Sequence, residues 1–493
     1  KWKQYGLMIG LGVISFGLYV GIFYLNLGQF GFPLDDAWIH QTYARNLAEY
    51  GEWAFIPGKI SGGSTSPLWT LLLAFVHLLK TGPFWGTFLL SFTLFVLSGV
   101  FFQELTTSMI VTTSGKKLLT GIPIFGLFFL LEWRMNWSAV SGMEIIFYIF
   151  LILFFFYSLC KRKAAWLPGL LVGLAFWVRP DGITLLGPLY FFCLLGVERK
   201  PEKWKTIWQA TLAFLPFLIL YFVFNQLTAG TWWPNTFYAK QTEYAVLYQT
   251  PILQRFLQLF VQPWISAAII FLPGLFFSTY KAVKNRDWFI IAMLLWSFGY
   301  IFIYAVRLPV MYQHSRYLMP TMPVLYSIGF VGTVQIFTKS HFNTSTLRLV
   351  KFGSLTLLIA LTIGFWVLGI NAYVTDGTII HEEMVEASIW IRKNIPKDEV
   401  VAAHDIGALG YYGEHDILDL AGLISPDVIP FIRDEERLLY YMQVNEVHYL
   451  MSFSDWYSTL LLPGEELYRS DGNAVIDSGG QPMVIYRYDW NGE

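Results

Sequence analysis

The sequence predicts a polytopic α-helical membrane protein that ends in a small α/β domain. Hydrophobic residues make up 55% of its 493 residues and charged residues only 14%, a balance that is foreign to water-soluble globular chains. Apolar runs of about 20 residues, long enough to cross a bilayer, recur up to roughly residue 373 and then stop. We therefore expect a transmembrane domain over residues 1–375 and a soluble domain over residues 376–493.

Eleven apolar runs are candidate spans. Another run, residues 68–79, is too short to cross comfortably, and we expect it to lie along the membrane surface. It belongs to a first external loop, residues 27–83, in which we expect interfacial helices. The expected spans are residues 5–26, 84–103, 117–131, 143–160, 165–178, 182–197, 206–224, 265–280, 287–306, 317–337 and 350–373.

The distribution of basic residues orients these spans. If residues 68–79 lie flat, six short segments fall on one side of the membrane and hold 17 of the 26 basic residues that precede Asp376, Lys116 and Lys117 among them. The positive-inside rule makes that side cytoplasmic. We therefore expect the chemistry on the other side, which holds the tail and the segments 27–83, 132–142, 225–264 and 307–316.

The tail is acidic and has the pattern of a small α/β domain. It holds 22 of the 34 acidic residues but 7 of the 33 basic ones, a balance that excludes nucleic acid as a partner. An amphipathic helix is predicted near residues 382–394. Strands are predicted near residues 400–403, 417–420, 447–451 and 484–488.

Two adjacent acids, Asp35 and Asp36, follow the first span. Ionisable groups are costly at a bilayer edge, so we expect a catalytic or metal-binding role for the pair. The alternative is a helix N-cap, for which one Asp suffices. On the short helix that follows, His40, Tyr43 and Arg45 are candidate substrate ligands, with an aromatic belt or a snorkelling Arg45 as the alternative.

Further candidates lie at the outer ends of later spans. Glu144 heads one span, where an interaction with the helix dipole is the alternative. Arg179 and Asp181 lie between two spans and either bind substrate or pair with each other. Arg316 precedes a span on the external side, where basic residues are rarer, and a guanidinium is well suited to bidentate phosphate binding.

Aromatic and polar side chains complete the candidate site. The segment 232–240 offers ring faces and amides suited to a sugar, or else forms an interfacial aromatic belt. In the tail, one His-Asp pair either lines an acceptor groove or caps a loop. The remaining candidate substrate-binding residues are Trp233, Asn235, Tyr238, Lys240, His314, Tyr317, His404 and Asp405.

No nucleotide or zinc motif is present in the sequence. It contains neither a Walker loop nor a glycine-rich dinucleotide fingerprint, and the spacing HExxH is missing. Any reaction must therefore draw its energy from a substrate that enters from the membrane or from outside.

With these motifs the chain resembles the GT-C superfamily of polyprenyl-phosphate-sugar-dependent glycosyltransferases. The similarity is closest to a bacterial branch that includes the terminal arabinofuranosyltransferases of mycobacterial cell walls. It covers the membrane region and residues 405–426, and it is specific for the superfamily but a poor guide to the sugar. The motifs are Asp35-Asp36-Ala37-Trp38-Ile39, Tyr43-Ala44-Arg45-Asn46-Leu47, Ser64-Thr65-Ser66-Pro67-Leu68-Trp69, Ser141-Gly142-Met143-Glu144, Arg179-Pro180-Asp181-Gly182, Pro234-Asn235-Thr236-Phe237-Tyr238-Ala239-Lys240 and Arg316-Tyr317.

The resemblance implies a GT-C-like fold in a bacterial plasma membrane and a reaction at its outer face. That reaction is the inverting transfer of a sugar from a polyprenyl monophosphate to a hydroxyl of a glycan, glycolipid or protein. Arg316, with Lys240 or Arg179, is expected to hold the phosphate, and one Asp of the pair, Asp35 slightly preferred, to act as general base. No cofactor is certain, but some relatives use a divalent cation, which here would be Mg²⁺ or Mn²⁺ at Asp35, Asp36 and Glu144.

Two other classes stay open on sequence alone. A transporter or flippase of lipid-linked saccharides would show charges within spans and broken helices in both halves, whereas the acids here lie at the outer boundaries. In a non-catalytic, sugar-binding assembly subunit, Asp35 and Asp36 would be structural. Replacing them would then impair folding without affecting any chemistry.

Overall fold

Long apolar helices form most of the structure, a computed structural model that describes residues 1–114, 121–196, 200–339 and 344–490. The helices of the membrane region are α1 (Trp2–Leu27), α2 (Asp35–Tyr50), α3 (Pro67–Leu78), α4 (Trp85–Ser114), α5 (Ile124–Leu131), α6 (Trp133–Val140), α7 (Ile145–Cys160), α8 (Trp166–Val178), α9 (Leu186–Gly196), α10 (Lys200–Ala229), α11 (Asn235–Glu243), α12 (Ile252–Val261), α13 (Leu272–Asn285), α14 (Trp288–Arg307), the single turn α15 (Tyr312–Ser315), α16 (Met322–Lys339) and α17 (Thr344–Ile379).

Each of the eleven predicted spans contains helix, although the described part of the span 117–131 holds only the eight-residue α5. Among the described residues, seven helical stretches are long and apolar enough to cross a membrane, and they overlap α1, α4, α10, α13, α14, α16 and α17. The predicted spans 143–160, 165–178 and 182–197 correspond to shorter apolar helices. Residues 117–120 of one predicted span, residue 197 of another, and the basic residues Lys116, Lys117 and Arg199 lie outside the described residues.

The first loop folds into two short helices around a β-hairpin. Both acids of the Asp35-Asp36 pair lie in the first turn of α2, where the helix dipole favours negative charge, and the N-cap position itself falls to Leu34. Between α2 and α3, the strands β1 (Ala54–Ile56) and β2 (Lys59–Ile60) pair antiparallel. The twelve-residue α3 begins at Pro67, as the short run 68–79 predicts, and packs against α2.

The tail forms a five-stranded sheet with helices. Its strands are β3 (Val400–Ala403), β4 (Asp416–Asp419), β5 (Tyr449–Phe453), β6 (Glu465–Arg469) and β7 (Met483–Arg487), in the order β4-β3-β5-β7-β6. β3 is parallel to both of its neighbours, and β7 is antiparallel to β5 and β6. The four predicted strands are present, whereas β6 and the helices α19 (Glu435–Val444) and α20 (Asn473–Asp477) were not predicted.

The chain enters the tail without a linker. α17 passes through a π-helical turn, Ile380–Val385, directly into α18 (Glu386–Asn394), so the predicted end of the last span at residue 373 falls inside a continuous helix. The tail then packs on the first loop. Trp38 of α2 is 1% exposed and lies against the rings of Tyr411 and Tyr412. This contact places the tail next to the acids at the start of α2.

Candidate active site

A cavity of about 430 Å³ lies between α2, α11, α14 and the tail. Both charged and apolar side chains line it. Nine of the candidate residues are among them: Asp36, His40, Glu144, Arg179, Asp181, Trp233, Lys240, Arg316 and Tyr317. The sequence candidates thus converge from five separate segments of the chain on one space.

Two cations meet on the carboxylate of Asp36. Arg316 donates from Nη2 to Asp36 Oδ2, and Lys240 Nζ lies 3.5 Å from the same oxygen. The hydroxyl of Tyr317 accepts from both cations, at 3.2 Å in each case. Burial works against ionisation of Asp36, but Lys240 and Arg316 outweigh it and hold the pKa of this carboxyl well below its usual range.

Two N–H donor groups of the Arg316 guanidinium make no hydrogen bond to the described residues. The side chain is only 5% exposed. Nε and Nη1 of Arg316 are buried and have no hydrogen-bond partner within the part of the chain that the structure describes. Buried donors without a partner are costly, so a ligand that accepts from them gains more than it would at an exposed arginine.

A second arginine is fully engaged by protein groups. Arg179 donates to Glu144 Oε1 at 2.8 Å, to Asp181 Oδ1 at 3.1 Å and to the hydroxyl of Tyr304 at 3.0 Å. Asp181 Oδ2 in turn accepts from Tyr300 and, at 2.6 Å, from Tyr304. Arg179 and Asp181 do pair with each other, but as part of a larger network that lines one wall of the cavity.

His40 lines the cavity beside Glu144. It is 3% exposed, its Nε2 lies 3.6 Å from Glu144 Oε2, and its Nδ1 lies 3.1 Å from the Thr70 hydroxyl and 3.2 Å from that of Ser64. Burial lowers the pKa of His40, although the carboxylates of Glu144 and Asp36 oppose this effect. His40 therefore presents a polar imidazole beside Glu144, and its burial disfavours the charged form.

Asp35 points away from the cavity. Its two carboxylate oxygens accept from the backbone N–H groups of Gly407 and Ala408, each at 2.7 Å. Burial and the neighbouring carboxylate of Asp405 raise the pKa of Asp35 to about 8, against the opposing effect of the two N–H groups. The adjacent acids thus do different things: Asp36 faces the cavity, and Asp35 holds the tail.

Three other candidates hold the architecture together. Arg45 donates to the carbonyls of Gly410 and Tyr411, at 3.1 and 2.7 Å, and thereby ties α2 to the tail. The hydroxyl of Tyr43 contacts Ser61 Oγ at 2.7 Å and accepts from a loop N–H. Asn235 Nδ2 donates to a tail carbonyl, that of Leu423, at 3.1 Å.

The last four candidates also lie off the cavity wall. Tyr238 is partly buried beside the ring of Phe237. His314 Nε2 lies 2.7 Å from Asp376 Oδ2. His404 lies between Glu243 and Asp405, with its Nε2 3.5 Å from Glu243 Oε1. Of the tail residues, Leu423 reaches the cavity instead.

Several residues at or beside the site were not among the candidates, and three of them carry polar or charged groups that bear on it. Tyr300 and Tyr304 stand one turn apart in α14 and donate to Asp181, while Arg307 lines the cavity and lies 4.1 Å from the centre of the Phe237 ring. The tyrosines lie within an apolar run, where nothing distinguishes them from ordinary buried residues. Arg307 ends α14 on the side that the sequence predicts to be external, so the argument that selected Arg316 applies to it as well.

The three acids suggested for a divalent cation do not fit one as they are arranged. Within the described ranges, no group of three or more His, Cys, Asp or Glu residues is placed to hold a metal ion. Asp36 and Glu144 each contact a cationic side chain, and Asp35 accepts from two backbone N–H groups. A cation would have to displace these donors first.

Comparisons with known proteins agree with the fold. Residues 369–486 match a family model described as a domain of unknown function, DUF8728. No curated protein matches the sequence. Among solved structures, ArnT from Cupriavidus metallidurans bound to undecaprenyl phosphate matches with a TM-score of 0.58 and 12% identity, over 98% of each chain.

An archaeal protein matches equally well. The oligosaccharyltransferase of Archaeoglobus fulgidus, tethered to an acceptor peptide, has a TM-score of 0.58 and 12% identity over 92% of this chain and 70% of its own. The same organism's AglB, in complex with an inhibitory peptide and a dolichol-phosphate, has a TM-score of 0.57 and 11% identity over the same shares. The GT-C-like membrane fold with a small C-terminal sheet domain is therefore confirmed.

Proposed function

We propose that this chain is a membrane glycosyltransferase that transfers a sugar, with inversion, from a polyprenyl monophosphate to a hydroxyl of an extracytoplasmic acceptor. The observation that carries the proposal is the convergence of Arg316 and Lys240 on Asp36 at the cavity wall. Two cations around one anionic oxygen form a ready-made place for a phosphate. The solved structures of similar fold, which hold undecaprenyl phosphate or dolichol-phosphate, support the same class of donor.

In the free protein, Asp36 occupies the place of the donor phosphate. The incoming phosphate accepts from Nε and Nη1 of Arg316, which have no partner among the described residues, and competes with Asp36 for Nη2 and for Lys240. Arg316 supplies the planar fork that matches two phosphate oxygens. Lys240 adds a second positive charge against the leaving group.

This competition gives Asp36 its role as general base. Once the phosphate has taken over the two cations, the effect that depresses the pKa of Asp36 is reduced, and the carboxylate becomes basic enough to accept a proton. The acceptor oxygen forms a bond to the anomeric carbon, the bond from that carbon to the phosphate oxygen breaks, and the acceptor proton moves to Asp36. Polyprenyl phosphate leaves with its charge held by Arg316 and Lys240.

Asp36, and not Asp35, is thus the general base in this proposal. Asp35 was slightly preferred on sequence, but its oxygens are both held by Gly407 and Ala408, and it does not line the cavity. Asp36 lines the cavity and is 25% exposed, so an acceptor hydroxyl is able to reach it. No step of the proposed reaction passes through a metal ion.

The walls of the cavity suit the rest of the donor. Trp233 and Phe237 stack with ring centres 5.3 Å apart and present aromatic surface to the cavity. Ile183, Ile303 and Leu308 add aliphatic surface. Aromatic faces pack well against sugar rings, and aliphatic walls suit the first isoprene units of a lipid. The identity of the donor sugar is a separate point. The motifs shared with arabinofuranosyltransferases make arabinofuranose one candidate.

The proposed location is the outer face of a bacterial plasma membrane. The excess of basic residues in the short loops on the opposite side supports this orientation. The acceptor is then a glycan, glycolipid or protein of the cell envelope. The archaeal structure of similar fold, which carries a tethered acceptor peptide, supports a peptide or protein among these acceptors.

The test is a transfer assay with the full chain in lipid nanodiscs. Wild type and two matched variants, Asp36→Asn and Asp35→Asn, are offered a panel of synthetic polyprenyl-phosphate sugars and hydroxyl acceptors, and the anomeric configuration of each product is determined. We expect inverted products from wild type, at least about a hundredfold slower transfer from Asp36→Asn, and readily measurable transfer from Asp35→Asn. Retained configuration, or wild-type transfer by Asp36→Asn, contradicts the proposal; translocation of intact donor across vesicles without transfer favours the transporter.

A further inference from the structure

We infer that Asp376 and His314 form a positioning pair that holds a strained arm, residues 313–315, in the shape that points the adjoining Arg316 at the donor phosphate. The inference rests on the proposed function, because it takes Arg316 as the phosphate ligand. It gives a role to His314, a candidate that lies off the cavity wall, and to Asp376 of α17.

The backbone of the arm is strained. Gln313, His314 and Ser315 have φ angles of 52°, 59° and 60°, so three consecutive residues with side chains lie in the left-handed region. Residues other than glycine enter that region singly and at a cost, because Cβ approaches the following carbonyl oxygen. Such strain persists only where the surroundings enforce it, and it concentrates at active sites and ligand clamps. Here the strained run ends at Ser315, directly before Arg316.

Side chains from two helices hold the ring of His314. Its Nε2 donates to Asp376 Oδ2 at 2.7 Å, and Trp137 Nε1 donates to the same oxygen at 2.8 Å. The imidazole also meets the rings of Trp133 and Trp137 edge to face, with centres 5.3 and 5.2 Å away. One carboxylate oxygen therefore fixes both the histidine and one of the two tryptophans that enclose it.

The backbone of the arm is held from the other side. Arg134, which is 2% exposed, donates from Nε to the carbonyl of His314 at 3.1 Å and from Nη1 to that of Ile265 at 3.1 Å. Ser315 Oγ donates to Gln262 Oε1 at 3.0 Å. The arm is thus fixed at a ring, a carbonyl and a hydroxyl, and of these contacts the pair with Asp376 is the one made by α17.

Loss of the pair should release the strain. Without Asp376, His314 has no anchor on α17. The contacts of Arg134 and Ser315 remain, but the arm returns more readily to ordinary backbone angles, which turns Arg316 away from Asp36. Releasing one left-handed residue corresponds to about a tenfold change in an equilibrium constant. We therefore expect the affinity for a polyprenyl phosphate to fall about tenfold, without loss of the fold.

The experiment measures the affinity of the full chain in nanodiscs for undecaprenyl phosphate, together with the thermal midpoint. Asp376→Ala is expected to bind about tenfold more weakly. Asp376→Ala combined with Gln313→Asn is expected to recover most of the affinity, because asparagine enters the left-handed region more readily than glutamine. The matched control is Glu399→Gln, which removes another carboxylate–histidine pair, with His448, away from the cavity and should leave the affinity unchanged.

Rescue by Gln313→Asn separates positioning from general damage, since that substitution restores neither the carboxylate nor any contact of Asp376. If Asp376→Ala binds as wild type does, or binds weakly without rescue, while Arg316→Gln loses binding, the inference is wrong and the proposed function stands. If Arg316→Gln itself binds as wild type does, the proposed role of Arg316 fails, and the inference fails with it.

Discussion

Arg316 donates to Asp36 across 280 positions of the sequence. Lys240, from a third segment, lies 3.5 Å from the same carboxylate oxygen. Three parts of the chain therefore meet on one oxygen at the wall of the cavity. Because each of them belongs to a different segment of the chain, the proposed phosphate site forms only when the whole bundle has folded.

The Arg179 network predicts a large effect on stability. Arg179→Met leaves Glu144 and Asp181 buried without their cation, so the free energy of unfolding should fall by about 3 kcal/mol or more. The control is Arg307→Met, at an exposed arginine of the same cavity, which should cost less than about 1 kcal/mol. Unfolding in mild detergent measures both, and equal effects would show that Arg179 is not a structural centre.

Asp35 and Asp36 show where the sequence is sufficient and where it is not. Hydropathy is enough to predict the membrane helices, and the acidic pair is enough to predict one wall of the candidate site. Neighbouring residues of a helix point about 100° apart, however, so one acid of the pair faces the cavity while the other faces away. Which is which depends on where the tail packs, and no local pattern encodes that position.

The tail shows the same limit in another form. β6 is an edge strand whose residues are mostly exposed, so it lacks the alternation that marks a strand with one buried face. α19 did carry a local signal, because Asp434 is its N-cap and accepts from the N–H of Arg437. The strained arm before Arg316 carries no local signal in the sequence, since tertiary contacts enforce its backbone conformation.

The docking of the tail depends on a glycine. A Cβ on Gly407 would overlap the carbonyl oxygen and carboxylate of Asp35, so Gly407→Ala should separate the tail from α2. We expect a thermal midpoint several degrees lower and at least a tenfold loss of transfer, about the scale of a lost positioning contact. Gly364→Ala, where a Cβ meets nothing within 4 Å, is the control. If the two variants had the same thermal midpoint and the same rate of transfer, Asp35 would not be a docking residue for the tail.

His404 should make the docked state depend on pH. Burial lowers its pKa, but Asp405, Glu243 and Asp419 outweigh burial and raise the pKa above its usual value. The folded state then favours the proton, so this stabilisation is complete below about pH 6.5 and is lost as the pH rises through the folded pKa. The thermal midpoint of wild type should therefore fall relative to that of His404→Gln between about pH 6 and pH 8. Parallel curves would exclude the effect.

Transfer should survive removal of divalent cations. Asp36, Glu144 and Asp35 are engaged by Arg316, Arg179 and backbone N–H groups, and in the proposed reaction Arg316 and Lys240 hold the charge of the phosphate. We expect EDTA to change the rate by less than about twofold, against a loss of two orders of magnitude or more for a reaction that depends on a metal. If EDTA abolished transfer and Mg²⁺ or Mn²⁺ restored it, the reaction would depend on a metal ion and this prediction would be wrong.

The measurement that tests the account most directly compares Asp36→Asn with wild type in two assays, binding of undecaprenyl phosphate and sugar transfer. An amide competes less well than a carboxylate for Arg316 and Lys240, so the variant should bind the lipid phosphate at least as tightly as wild type does. Without a base, its rate of transfer should fall by about a hundredfold or more. Transfer at the wild-type rate, or loss of binding together with loss of transfer, would contradict the central claim. That claim is that Asp36 contacts the phosphate-binding cations in the free protein and acts as the general base in the reaction.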